Sequence, residues 1–278
     1  KSLDVILGKR LSPVEFNLIF KLCNFIRPFQ NAKEIRAYIT KTRKYEELIS
    51  LNKHELNKDP IDLIQYIVNN NITKPDRPPV WINYELINVD FGVGEHMTDE
   101  YGEKNPQKEI PVLDDDGFYL SESNAILQYL VDKYGNDDKL YPKEPKARAI
   151  VNHRLCFNLA FYYSRISEHV MAPIFFDYQR TPLSLKKLQI ALNVFNTYLK
   201  RLGTKYAAGD HVTIADFPLI SATMCLEAIN FNLSEYPLVE AWYKRFKEEY
   251  PQLWEICAGG MAEIAEFEKN PPDLSHLN

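Results

Sequence analysis

The chain has 278 residues, 45% of them hydrophobic and 26% charged, with a formal net charge of −5. That is globular composition, enough for about two domains at ~150 residues each, and no apolar run approaches the ~20 residues of a membrane-spanning helix. The four cysteines, Cys23, Cys156, Cys225 and Cys257, show no CxxC and no paired Cys/His spacing, which argues against a zinc site and a disulfide framework and fits a reducing compartment, cytoplasmic or nuclear.

Residues 12–27 read as a helix, with Ser12 as N-cap, Pro13 at N1 and a dense apolar set from Val14 to Phe25. A second helix is expected over 31–50, carrying Ile35, Tyr38, Ile39, Tyr45, Leu48 and Ile49. A third is expected over 59–70, capped by Asp59 with Pro60 at N1 and with Ile61, Ile64, Ile67 and Val68 on one face. Asn-Asn-Asn at 69–71 and then the proline-rich run 74–79 make a break, which sets a domain boundary near 72–79. Residues 1–77 carry 14 Lys and Arg against 9 Asp and Glu, while the remainder carries 19 against 29. No basic run in the head exceeds two residues, so it reads against a nucleic-acid contact.

Beyond the break the pattern is β-rich from Val80, with the clearest strand over 84–91, and 96–104 reads as a short irregular helix. Residues 110–113 and 118–120 flank Asp114-Asp115-Asp116-Gly117 as a hairpin. From Ser123 an amphipathic helix runs through Ala125, Ile126, Tyr129, Leu130 and Tyr134 to Gly135. Everything long after Lys146 reads helical: 146–178, 183–202, 214–230, 236–249 and 251–268. The division expected is a helical extension at 1–78, an incomplete α+β domain at 79–137 and an all-helical domain at 143–278.

Three segments carry chemical information. Pro111 stands just before an apolar strand, where a plain turn or a cis bond avoids the lost ladder hydrogen bond; the cis form would leave the Ile110 N–H and carbonyl open to an extended peptide. In Leu120-Ser121-Glu122-Ser123-Asn124, Ser123 reads as a helix N-cap beside free N–H groups that attract a carboxylate. Glu122 could accept from an ammonium there, so the pair suits an α-amino-acid head group, or else merely caps the helix. In Val212-Thr213-Ile214-Ala215-Asp216-Phe217, Thr213 and Asp216 form a structural capping box, with Val212 and Phe217 as its hydrophobic staple.

Together, Gly94-Glu95-His96-Met97, Asn105-Pro106-Gln107, Ile110-Pro111, Ser121-Glu122-Ser123 with Ala125-Ile126, and Gly209-Asp210 with Thr213 and Ala215-Asp216 resemble the glutathione transferases, in particular the insect delta/epsilon and theta-like groups. The likeness runs from Tyr84 to the C-terminus. It implies a thioredoxin-like domain followed by an all-α domain, glutathione as co-substrate without a metal, and a small hydrophobic electrophile as its partner. It also implies a homodimer formed through the helix after Ser123 and the first long C-terminal helix. By resemblance, His96 and Lys108 contact the glycyl carboxylate and Ile110, held by Pro111, pairs with the cysteinyl unit. Glu122 and Ser123 would hold the γ-glutamyl head, and Asn124 replaces the Arg usual in delta-type members. Phe161, Tyr162, Met171, Phe175 and Phe176 would line the second-substrate pocket.

The family's first strand and helix, with the hydroxyl that stabilises the thiolate, are absent from their expected place before residue 84. Two readings remain open. Residues 3–14 have a strand–loop–Ser-Pro–helix look, making Ser12 the activating hydroxyl and 28–79 a long insertion. Alternatively, 1–77 is an unrelated helical module joined to a truncated transferase, with 79–83 patching the sheet. The second reading leaves room for a non-catalytic interaction domain of a nuclear or regulatory protein.

Overall fold

The computed structural model describes residues 35–39, 84–89, 94–135, 137–176 and 178–271. The helices expected over 12–27 and 59–70, the strand–Ser-Pro–helix pattern at 3–14, Ser12 itself and the 79–83 patch lie outside the described residues.

Four strands form one sheet: β1 (Ile35–Ile39), β2 (Tyr84–Asn88), β3 (Val112–Asp115) and β4 (Phe118–Leu120), in the order β2-β1-β3-β4. β1 runs parallel to β2, with Ile35 opposite Tyr84 and Ile39 opposite Asn88. It runs antiparallel to β3, with Ile35 opposite Asp115 and Tyr38 opposite Val112. A parallel pair followed by a hairpin is the thioredoxin-like arrangement, and β1 fills the central place whose occupant the sequence left open.

That overturns the helix expected over 31–50 at its residues 35–39. Ile35, Tyr38 and Ile39 fit helical spacing, but Ile35, Ala37 and Ile39 equally alternate along a strand. With two partners to pair, the central position satisfies backbone groups on both edges, a long-range gain that a local pattern does not register.

The hairpin turns on Asp116 and Gly117, whose φ values of 58° and 85° are the positive pair that a two-residue connection needs. The Gly117 N–H donates to the Asp114 carboxylate at 2.8 Å. Before the hairpin, a 3-10 turn (Glu95–Met97) leads into α1 (Asp99–Lys104), capped by the Thr98 side chain. After it comes α2 (Ser123–Tyr134), which buries Ile126, Leu127, Leu130, Val131 and Tyr134.

Alternation along β3 divides the core. Ile110 and Val112 pack with Val89 and the α1 residue Tyr101 in a small cluster. Leu113 joins α2 and the helical domain in one continuous core. α2 is thus the shared wall between sheet and helices.

The helical domain comprises α3 (Pro145–Phe157), a π-helical turn (Asn158–Tyr162), α4 (Tyr163–His169), α5 (Met171–Phe176), α6 (Pro182–Leu202), α7 (Asp216–Ala228), α8 (Pro237–Glu249) and α9 (Pro251–Lys269). The helix expected over 146–178 is therefore interrupted at the π turn and again near Val170. Pro145 and Pro182 sit at helix starts capped by the Glu144 and Thr181 side chains. Nearly all of α7 is buried, as the central helix of the domain.

The expected capping box is present in altered form. α7 begins at Asp216 rather than 214, and Ala215, not Thr213, holds the cap position. The Asp216 carboxylate nevertheless accepts from the Thr213 N–H at 2.9 Å, the Ala207 N–H at 2.9 Å and the Trp242 indole N–H at 2.8 Å. It staples the loop before α7 to α8. Among the described residues Cys156, Cys225 and Cys257 are free thiols, and no helix is long and apolar enough to cross a membrane.

Candidate functional site

The segment between α1 and β3 is shaped by Asn105, which is 1% exposed. Its amide donates to the Glu109 carbonyl at 2.7 Å, its Oδ1 accepts from the Gln107 N–H at 3.1 Å, and its carbonyl accepts from the Lys108 N–H at 2.9 Å. The Tyr101 hydroxyl adds a second donor to the Glu109 carbonyl at 2.9 Å. So braced, the loop passes through Lys108 at φ 55° and reaches a cis Ile110–Pro111 bond. Both residues are buried, yet among the described residues no backbone hydrogen bond uses the Ile110 N–H or carbonyl.

Facing this loop is the entry to α2. In the hairpin Leu113 pairs with Leu120 and Asp115 with Phe118; continuing that register toward the strand ends sets Ile110–Pro111 level with Glu122–Ser123. Gln107 ties the two sides together. Its amide donates to the Glu122 carboxylate at 3.0 Å and its Oε1 accepts from the Ser121 hydroxyl at 3.3 Å. Glu122 occupies φ 66°, ψ 104°, a conformation rare for a side chain of its size and of the kind that persists at functional sites. It, rather than the expected Ser123, is the residue before the helix; Ser123 is the first helical residue, and no side chain caps the first turn. The N–H groups of that turn are therefore left without a side-chain acceptor, at the positive end of the helix dipole.

Lys108 and His96 stand on the other rim. The Lys108 ammonium donates to the Met97 carbonyl at 2.7 Å and lies 3.5 Å from Asp99. His96 is buried, and loss of hydration holds its pKa below the usual imidazole value despite the opposing pull of Glu95. Burial and, secondarily, the charge of Glu122 push the Glu109 carboxyl up to about 7. Asn124 donates weakly to the Leu155 carbonyl of α3 at 3.4 Å.

The site thus joins an Ile110 backbone without a backbone partner among the described residues to an uncapped helix start that has an acid on the residue before it. Residues 80–132 match the glutathione S-transferase N-terminal domain, and residues 158–249 match the glutathione S-transferase C-terminal domain. A crystal structure of a diazinon-metabolizing glutathione S-transferase of the silkworm Bombyx mori is 50% identical, covering 83% of this chain and 98% of its own, with a TM-score of 0.64. The chain belongs to the glutathione transferases. A delta-class glutathione transferase of Nilaparvata lugens is similar at 35% identity, over 69% of this chain and 89% of its own, with a TM-score of 0.63. An epsilon-class glutathione S-transferase of the housefly, Musca domestica, is 33% identical over 68% of this chain and 87% of its own, at a TM-score of 0.62. The glutathione transferase N-terminal match starts at residue 80, so β1 lies outside it.

The second-substrate set divides. Tyr162 is fully buried, its hydroxyl 3.0 Å from the Thr223 hydroxyl and its ring edge-on to Phe195. Met171 is 1% exposed. Both pack in the main hydrophobic core; helical spacing puts an aromatic on a face but does not say whether that face meets solvent or α7. Phe161, Phe175 and Phe176 remain half-buried, with Phe175 edge-on to Phe267 of α9 at 5.4 Å. Sequence reading missed the bridging of Gln107, the bracing by Asn105 and Tyr101, and the acid at 109. Asn105-Pro106-Gln107 was visible as a motif, but its role depends on a partner 15 residues away.

Proposed function

We propose that this chain conjugates the thiolate of glutathione to small hydrophobic electrophiles. One observation carries the reading: Gln107 clamps the open Ile110 edge beside the Glu122–Ser123 mouth of α2, making a cleft with the polarity of an acidic tripeptide. In it His96 and Lys108 would face the glycyl carboxylate, Ile110 with Pro111 would present backbone groups to the cysteinyl unit, and Glu122 and the first turn at Ser123 would take the γ-glutamyl ammonium and carboxylate. Phe161, Phe175 and Phe176 supply apolar surface for the electrophile. The family setting favours a homodimer in the cytoplasm over a non-catalytic nuclear role. The runs 105–123 and 205–216 and the ending 267–273 further resemble the transferase portion of an insect FLYWCH zinc-finger protein, and we place the chain beside it. Residues 79–137, completed by β1, and 143–278 are taken as its two domains.

A free thiol has a pKa near ~8.5 and is mostly protonated at neutral pH, so conjugation needs a donor to the thiolate. Ser12 is the donor that the sequence pattern nominates. Because β1 occupies the first-strand place, the hydroxyl that follows it in sequence, Thr40, is the rival. Glutathione-affinity retention beside an aryl halide conjugation assay tests the function. Retention with turnover is expected, retention without turnover would reduce the protein to a binding domain, and no retention would remove the site. Ser12→Ala and Thr40→Ala then identify the donor by which one abolishes turnover while retention persists.

A further inference from the structure

A cavity of about 360 Å³ opens between α3 and α6, and none of the glutathione-cleft residues lines it. Ile150, His153 and Arg154 of α3 meet Tyr198, Arg201 and Leu202 of α6 there. On each helix these positions fall at the three- and four-residue spacing that sets side chains side by side. Arg154 is buried, only 6% exposed, and its orientation is fixed by named contacts. Its Nε donates to the Ala207 carbonyl at 2.8 Å, and its Nη1 lies 2.6 Å from Nδ1 of His153. Its guanidinium lies over the Tyr198 ring, 4.5 Å from the centroid. A guanidinium only donates, so Nδ1 of His153 accepts and the ring proton stands on Nε2. The His153 ring is in turn edge-on to Tyr198 at 5.0 Å. Arg201 brings a second guanidinium to the same cavity. Two guanidinium groups and an imidazole N–H thus share one cavity with the apolar surface of Ile150, Leu202 and Tyr198.

We propose that this cavity binds a small organic phosphate monoester, its terminal oxygens taken by Arg154, Arg201 and His153 and its carbon body lying on Ile150, Leu202 and Tyr198. Guanidinium forks suit carboxylate and phosphate alike. Three donor groups outnumber the two oxygens of a carboxylate, whereas a phosphate monoester offers three terminal oxygens and close to two charges. The ring of Tyr198 joins the two halves of the site, since it backs the Arg154 guanidinium and adjoins the apolar residues of its own helix. The proposal stands apart from the glutathione reading.

The test is calorimetric titration of the full chain with phenyl phosphate in a phosphate-free buffer, with benzoate as the planar comparison. One site per chain is expected, with phenyl phosphate bound at least about tenfold more tightly than benzoate. Arg154 is buried and tied to Ala207, so the exposed Arg201 carries the mutational arm. Arg201→Gln should weaken phenyl phosphate by about tenfold, the loss of one hydrogen bond to a charged group. Lys200→Gln removes the same charge from the neighbouring exposed position outside the cavity, and should change the affinity by less than about twofold. Saturating S-methylglutathione should leave the affinity unchanged. No binding of phenyl phosphate, equal losses in the two variants, or benzoate bound as tightly would each overturn the proposal. Displacement by S-methylglutathione would overturn it too, by placing the anion in the glutathione cleft. A chain that binds phenyl phosphate with the expected pattern but not S-methylglutathione keeps this site and loses the glutathione reading.

Discussion

At the scale of single residues, the parts of the site differ in what made them readable. Pro111 and Glu122 announce themselves locally, one by its place before a strand and the other by its place before a helix. Gln107 does not, because its hydrogen bonds to Ser121 and Glu122 exist only once the hairpin has closed. Gln107→Ala should therefore leave the fold intact but free the Glu122 carboxylate to wander. A net hydrogen bond to a charged group is worth roughly 1.5–3 kcal/mol, so KM for glutathione should rise about tenfold with kcat little altered. Steady-state kinetics at varied glutathione reads that split; a fall in kcat alone would place Gln107 in the chemical step instead. Asp216 is the opposite case: its structural role was legible from Thr213 and the staple, but its reach to Trp242 and Ala207 was not. Burial pushes its pKa up, and its four donor contacts oppose that. Asp216→Ala would strand buried N–H groups at about 1–3 kcal/mol each. A loss above ~4 kcal/mol in urea unfolding is expected, with residual helicity in the α8 region collapsing in the same transition.

Among elements, the helical domain was legible almost throughout, since helices of 13 to 21 residues such as α3, α6 and α8 repeat their apolar spacing several times. β1 was not: five residues span little more than one helical turn, so their apolar positions fit helical and strand spacing alike. Gly135 ends α2 as expected, though not by a left-handed turn. Its φ is −66°, and a Cβ there would stand 2.4 Å from the Val131 carbonyl oxygen, so close approach is what demands glycine. The joint between sheet and α2 is held by Asp115, which ends β3 and accepts from the Tyr129 hydroxyl at 2.6 Å, the Lys133 ammonium at 2.5 Å and the Tyr134 hydroxyl at 2.7 Å. Burial alone would raise its pKa, but these three donors outweigh that and hold it below the usual value. A depressed carboxylate contributes stability above its unfolded pKa of about 3.9 and loses it as pH falls through the lower folded value. Asp115→Asn should cost about 2–3 kcal/mol at neutral pH. Urea midpoints measured at falling pH should bring variant and wild type together as pH drops below the ordinary carboxylate range. A gap that persists in acid would mean that shape rather than charge holds the joint.

At the scale of the whole molecule, β4 and the π turn carry large apolar side chains that are exposed among the described residues. Phe118 and Tyr119 on β4 are 49% and 39% exposed, and Leu159 on the π turn is 60% exposed. The Phe118 ring lies 5.3 Å from that of Tyr129 on α2, so the β4 aromatics form a platform continuous with that helix. Leu159 extends from the end of α3, whose Leu155 carbonyl already receives Asn124 of α2. Single exposed hydrophobics are ordinary, but large ones on adjoining elements mark a contact with another chain. The family pairs subunits through the helix after Ser123 and the first long helix of the second domain, which are α2 and α3 here. The expected state is a homodimer with these residues inside it. Phe118→Glu combined with Leu159→Glu should give a folded monomer, since both side chains face outward and surface changes cost within about 0.5 kcal/mol of intrinsic stability. Sedimentation velocity at micromolar protein would show the shift from dimer to monomer, and far-ultraviolet circular dichroism would show the helices unchanged. Because Phe118 stands at the far end of the hairpin that carries Ile110 and Glu122, glutathione affinity in the monomer reports whether the cleft needs its partner subunit. Affinity equal to that of wild type would mean each subunit builds its site alone, and a wild-type chain that sediments as a monomer would reassign the patch to a different protein.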